Sequence, residues 1–191
     1  MHIADGILPL EITIPANVIA ISLVYAGGRN LKSDEVPRMG IFAAALFIVS
    51  LIQFPLGGTS IHLGLYGLAG IIFGLRTIPI IFVDLLFQSL IFQHGGLLTI
   101  GTNTLTMSSG ALIARFIWIH IKRYKPLAGF LCGFFGIIIP ALLMSLLFIM
   151  VDYGKGMAFI LAIYIPAALV EGFITSFIPT YFKKTKPELI P

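Results

Sequence analysis

The sequence predicts an all-α fold: a polytopic transmembrane helix bundle of about seven spans, with the N-terminus outside and the C-terminus cytoplasmic. Three observations carry this. Apolar residues make up 58% of the 191-residue chain and charged residues 10%, against about a quarter charged in soluble domains. The apolar residues fall into seven runs of near-spanning length. The basic residues gather on one side of the resulting thread. One membrane domain, 1–191, takes up the whole length, with an N-terminal segment 1–11, a bundle 12–182 and a basic tail 183–191. No room is left for a separate soluble catalytic domain.

A spanning helix needs about 20 mostly apolar residues. The runs cover roughly 12–28, 38–54, 62–75, 77–92, 104–121, 127–151 and 157–182. The third is too short to cross a bilayer unaided and is expected inside the bundle, with its outer end unwound, since irregular backbone at depth must be covered by protein or water. The first ten residues lack a basic start, and Asp5 and Pro9 interrupt them, so they do not form a signal peptide.

With the N-terminus outside, the inner loops and tail hold Arg29, Lys32, Arg38, Arg76, Lys122, Arg123, Lys125, Lys183, Lys184 and Lys186, and the outer side only Lys155. This is a strong positive-inside bias. It accounts for the positive charge by topology, and no nucleic-acid partner is expected. The same threading puts His2, His62 and His94 at the outer face and His120 at the inner end. The lone cysteine, Cys132, excludes an internal disulfide and any multi-cysteine metal site.

Met1-His2 suggests chemistry. A free amine beside a histidine offers the amine nitrogen, the His2 backbone nitrogen and a ring nitrogen, which close two fused chelate rings on one metal. Three nitrogens in a plane leave one corner for another imidazole, and His62 is the best candidate. A planar four-nitrogen set suits Ni(II) or Cu(II). Because the amide proton must be displaced, binding should weaken as pH falls. The bland alternative for His62 is a hydrogen bond to its own loop.

The opening Met1-His2-Ile3-Ala4-Asp5-Gly6, the stretch Gly57-Gly58-Thr59-Ser60-Ile61-His62-Leu63, and Leu86 to Gly96 followed by Gly101-Thr102-Asn103 and Met107 resemble the CbiM/NikM family. These are the substrate-capture components of energy-coupling-factor (ECF) nickel and cobalt transporters of prokaryotic cell membranes. The resemblance implies a ligand set of the Met1 amine, the His2 backbone and ring nitrogens, and His62. It implies Ni(II) or Co(II) as transported substrate, with no organic cofactor. It also implies partners: ECF ATP-binding subunits, a membrane coupling (T) subunit and a small accessory membrane subunit. His94-Gly95-Gly96 is similar to the cobalt branch and Gly-Gly-Thr-Ser before His62 to the nickel branch, so the metal stays open between the two.

Other residues have two readings each. Asp5 either accepts a hydrogen bond from His2 or the folded-in N-terminal loop, or lies in a solvated turn with Gly6. Asn103 ties the 93–103 loop to the N-terminal segment, caps the fifth span, or does both. His94 is a donor behind the ligands, a transient ligand for the arriving ion, or a plain loop residue. Ser60 and Thr59 cap the third segment or bond His62. Gly64, Gly67, Gly70 and Gly74 form a small-residue stripe that permits close packing, and Ala16 and Ala20 form another. Asp84, Arg115 and Glu171 lie within spans, where charge is costly and usually paired. They are expected in a structural ion-pair or hydrogen-bond cluster, or facing a partner, and away from His2.

There is no Gly-x-x-x-x-Gly-Lys-Ser/Thr phosphate loop, so uphill transport needs ATP hydrolysed elsewhere. Three rivals remain. A metal-dependent intramembrane enzyme would need a general base near the metal, and no His-Glu-x-x-His motif is present. A solitary channel or carrier would need a polar path, and the intramembrane charges are few. In the third, a structural membrane subunit, the histidines bind nothing.

Overall fold

In the computed structural model, residues 2–56, 59–121, 125–154 and 156–185 are described, without the side chains of 54–56, 59–61 and 183. Among them, seven α-helices follow in order: α1 (Leu10–Gly28), α2 (Glu35–Ser50), α3 (Tyr66–Phe73), α4 (Thr77–Phe92), α5 (Ile100–His120), α6 (Lys125–Met150) and α7 (Met157–Thr185). Between α2 and α3 lies an antiparallel hairpin, β1 (Gln53–Leu56) and β2 (Thr59–His62), and a 3-10 turn, Gly74–Arg76, joins α3 to α4. The bundle is helical as expected, but residues 53–62 are not. The second apolar run stops being helix at Ser50 rather than 54, and the third becomes helix at Tyr66 rather than 62. Pro55 supplies a reason: it has no N–H for a helix ladder and turns the residue before it away from helical angles.

Among the described residues, four stretches are long and apolar enough to cross a membrane: Leu10–Gly28, Tyr66–Phe92, Lys125–Met150 and Met157–Phe182. The second is not one rod. A straight helix of its 27 residues would be about 40 Å long. Yet His62 and His94, which flank it, have ring centroids 5.9 Å apart. The chain therefore doubles back, and Gly74 makes the bend at φ +56°, ψ −126°, where glycine alone is at ease. Helix α5 has 21 residues but is more polar. It packs against α1, α3, α4 and α6, and Thr102, Asn103, Thr104, Thr106 and Ser108 are all buried on it. Thr104 and Thr106 return their hydroxyls to carbonyls of their own helix, at 2.7 and 3.0 Å. Polarity is tolerable there because the first half of this helix is enclosed by the others.

The bundle has two ends of different make-up. One gathers the 28–35 connection and the turn after α3. Arg76 ties them, reaching the carbonyls of Gly27, Arg29 and Asn30 at 3.4 Å each and pairing with Glu35 at 2.8 Å. This is the end that the charge pattern assigns to the cytoplasm. The other gathers the N-terminal segment, the end of β2, the 93–99 loop and the start of α5.

Helix α3 lies between these ends in the packed interior. A Cβ on Gly67 would stand 2.2 Å from the Cys132 carbonyl oxygen, and one on Gly70 would stand 1.9 Å from that of Ala111. The stripe thus brings α3 into backbone contact with α6 and α5. Gly64 and Gly74 lie just outside the helix, not on it. Ala16 and Ala20 of α1 are buried too, a seam within the bundle.

Two of the three intramembrane charges, Glu171 and Arg115, cap this short helix instead of pairing with one another. Glu171 on α7 accepts from the amides of Gly64 and Leu65 at the N-terminal end, the latter at 2.8 Å. Arg115 on α5 donates to the Ile71 carbonyl near the C-terminal end at 2.8 Å. Thr77 adds a bond to the Ala69 carbonyl at 2.9 Å. A helix ending inside a bilayer has orphan donors and acceptors that no water reaches. The helix dipole favours this placement, an acceptor oxygen at the start and a guanidinium at the end. Asp84 accepts from Gln88, one turn along α4, at 2.8 Å.

Candidate metal centre

The N-terminal segment is folded in and held by α5. Asn103 sits in the first turn of that helix, where its side-chain oxygen accepts from the Ile3 amide and its amide nitrogen donates to the Ile3 carbonyl, both at 2.9 Å. One side chain thus pairs both backbone groups of residue 3, as a neighbouring strand would. The Thr99 hydroxyl donates to the same carbonyl at 2.7 Å, and Thr99, not Asn103, occupies the cap position of α5. Asp5 accepts from the Thr99 amide at 3.0 Å. Its partner is therefore the 93–99 loop and not His2. Gly96 lets this happen: a Cβ there would lie 1.9 Å from the Asp5 carboxylate and 2.7 Å from its backbone nitrogen.

Sequence reasoning missed Thr99 and Asn17. Asn17 donates to the Leu98 carbonyl and accepts from the Gly101 amide, both at 2.8 Å, joining α1 to the start of α5. A lone carboxamide in an otherwise apolar span was the available signal.

These bonds place His2 in a cluster of three imidazoles. Its ring centroid lies 4.1 Å from that of His94 and 4.9 Å from that of His62, nearly parallel to the latter at 23°. His2 and His62 are only 5% and 4% exposed. Nδ1 of His62 lies 3.0 Å from the Leu63 carbonyl. Donation from that nitrogen leaves the Nε2 lone pair available, the arrangement metal-bound histidines use. Nε2 of His62 and both ring nitrogens of His2 have no hydrogen-bond partner among the described residues. Buried polar atoms are rarely left so. Beyond His62, an apolar cavity lies against α7, lined by Leu63, Ile163, Pro166 and Val170.

Met1 lies outside the described residues, as do Gly57 and Gly58 and the side chain of Ser60; the expectations placed on them stand as expectations. Asp84 and Arg115 are not in the cluster. Glu171 is not in it either, yet the backbone it holds begins two residues after His62. His120 bonds the Phe116 carbonyl at 2.8 Å on the far end of α5.

Burial keeps these rings neutral. It pushes the His62 imidazole down to about 3 and that of His94 to about 4, and holds His2 well below its ordinary value of 6.5. Neutral imidazoles are ready ligands at neutral pH. The same shifts make the metal-free protein sensitive to acid. Below pH 6.5 the unfolded chain binds protons at these positions before the folded one does, so stability should fall as pH drops from about 6.5 toward 4. Each histidine contributes at most about 1.4 kcal/mol per pH unit. Melting curves of apo-protein between pH 7.5 and 4.5 check this, and His62→Ala should flatten the dependence.

Comparison with known proteins follows the same line. Residues 2–189 match the family model of CbiM, described as the cobalt uptake substrate-specific transmembrane region. A Haemophilus influenzae protein named for metal transport is 30% identical, over 100% of this chain and 97% of that one. The cobalt transport protein CbiM of Acetoanaerobium sticklandii is 31% identical over 92% of this chain and 81% of its own. A fused nickel transport protein, NikMN, of Archaeoglobus fulgidus is 29% identical over 100% of this chain and 68% of its own. The solved structure of a truncated transition metal transporter has the same fold, with a TM-score of 0.80 at 21% identity, over 97% of this chain and 99% of that one.

Proposed function

The chain belongs to the CbiM family, a family of membrane proteins of cobalt uptake, and on that premise we propose that it captures Ni(II) or Co(II) at the His2–His62 centre for ATP-driven import. The observation that carries this reading is the pair of buried, neutral imidazoles, His2 and His62, stacked with unpartnered ring nitrogens. In the proposed set, the Met1 amine, the His2 amide nitrogen and a His2 ring nitrogen take three corners of a plane and His62 the fourth. His94, 4.1 Å from His2, stands behind or above that plane.

The centre faces outward in this reading, because ten of the twelve basic residues thread to the opposite side. The setting is a prokaryotic cell membrane. Energy comes from partners: ECF ATP-binding subunits, a membrane coupling subunit and a small accessory membrane subunit. The chain itself performs no hydrolysis.

Calorimetric titration of detergent-solubilised protein with an authentic Met1 tests the reading, using Ni(II) and Co(II) in parallel. Saturable binding of one ion per chain is expected. His62→Ala should weaken it by at least about 10- to 100-fold, the loss typical of groups that only orient a ligand. Equal affinities with and without His62 would remove it from the ligand set, and absence of binding by the unaltered protein would sink the reading.

A further inference from the structure

We propose that Glu171 is a positioning residue for the metal centre: through the amides of Gly64 and Leu65 it fixes the place of the His62 imidazole opposite His2. The inference rests on the capture reading above. Its observations lie elsewhere, on α7 and the start of α3.

Three features support it. Glu171 is fully buried, and one of its carboxylate oxygens accepts from two successive backbone amides. The other oxygen has no partner among the described residues. This side chain's described bonding is thus spent on the backbone that leads out of β2. Second, that backbone is strained. Leu65 sits at φ +47°, a left-handed conformation that a leucine does not hold unless its surroundings impose it. Third, the His62 ring is referenced to the same segment: its Nδ1 closes on the carbonyl of Leu63, whose neighbour Gly64 is the first residue Glu171 holds. From carboxylate to imidazole the path is two residues of constrained backbone.

The hairpin holds the His62 backbone through its pairing with Gln53 and ends there, short of the segment whose carbonyl the ring bonds. Asn103 and Thr99 hold Ile3 and so place His2. They leave His62 to the hairpin and to α7. Arg115 acts at the far end of α3. The two halves of the centre are therefore set by different elements, α5 for His2 and the hairpin together with α7 for His62.

A double-mutant cycle on protein with an authentic Met1 tests this, reading Ni(II) affinity by calorimetry and the ligand field of bound Ni(II) by visible absorption. Glu171→Leu should weaken binding about 10- to 100-fold, the scale for groups that orient a metal ligand, and shift the absorption toward that of His62→Ala. The double variant should bind no more weakly than His62→Ala alone, because the restraint acts only through that ring. Glu171→Gln should bind close to the unaltered protein, since its amide oxygen can accept the same two bonds. Should Glu171→Leu fail to give a monodisperse protein, Glu171→Asp, with the acceptor withdrawn by one methylene, takes its place in the cycle with a smaller loss. Unaltered affinity in the Leu or Asp variant, or additive losses in the double, would overturn the inference and make Glu171 a structural residue only. If the unaltered protein binds no metal, the capture reading itself fails, and this inference falls with it.

Discussion

Adding four residues ahead of Met1 should lower Ni(II) affinity at least about 100-fold, near 3 kcal/mol. The proposed set uses the terminal amine and the adjacent His2 amide. An extension turns that amine into a second amide, whose proton must itself be displaced before the nitrogen can bind metal. It also pushes extra chain into a region where His2 is already 95% buried and Ile3 is bonded on both sides by Asn103. The length matters. A single added residue would place an amine, two amides and the imidazole in one run, a complete planar set needing no His62. Four residues avoid this. Calorimetry on the two forms, both shown to be folded by melting, reads the difference. Equal affinity would exclude the amine and return the site to its imidazoles alone.

The largest effect on stability is expected at Gly70. Replacement by alanine puts a methyl 1.9 Å from the Ala111 carbonyl oxygen and 2.7 Å from its carbon. Both are helix backbone, so α3 must move from α5 by more than 1 Å. Movement is resisted on the other side, where Gly67 meets the Cys132 carbonyl at a similarly closed distance, and at the ends, where Glu171 and Arg115 hold α3. Overpacking of an interior commonly costs about 1–3 kcal/mol and occasionally more; here about 3 kcal/mol or more is expected. Gly40→Ala is the control. It lies in the middle of α2 with nothing within 4 Å of its added methyl, and it should raise stability by about 0.5–1 kcal/mol, the helix propensity difference. Thermal melting in one detergent compares the pair. Similar melting temperatures for both variants would refute the close approach of α3 and α5.

Much of the architecture was legible because lipid imposes simple rules. The helices had to be apolar along most of their length, and each of the seven runs overlaps a helix, the second and third departing where the hairpin interrupts them. Pro55 was visible too, but its consequence depended on context: proline sits inside α1, α6 and α7 without ending them. Whether the chain resumes a helix or folds a hairpin after such a break turns on which neighbours can take its free amides. In this chain the two strands pair with each other, and Glu171, more than 100 residues away, takes the amides of Gly64 and Leu65 just before helix resumes.

The candidate site divides in the same way. Residue types and local order named His2 and His62, since chelation by an amine, an amide and a ring is a property of two adjacent residues. No local pattern could bring the rings together. That required Asn103 and Thr99 to grip Ile3 from α5, the hairpin to carry His62, and Glu171 to hold the segment after it from α7. Sequence alone determined that this is a membrane bundle with imidazoles at one end. Tertiary structure decided which intramembrane charges serve them. Expected in an ion-pair or hydrogen-bond cluster or facing a partner, Arg115 and Glu171 instead cap opposite ends of α3. A short helix buried in a bundle has orphan groups at both termini, and satisfying those outweighs one ion pair.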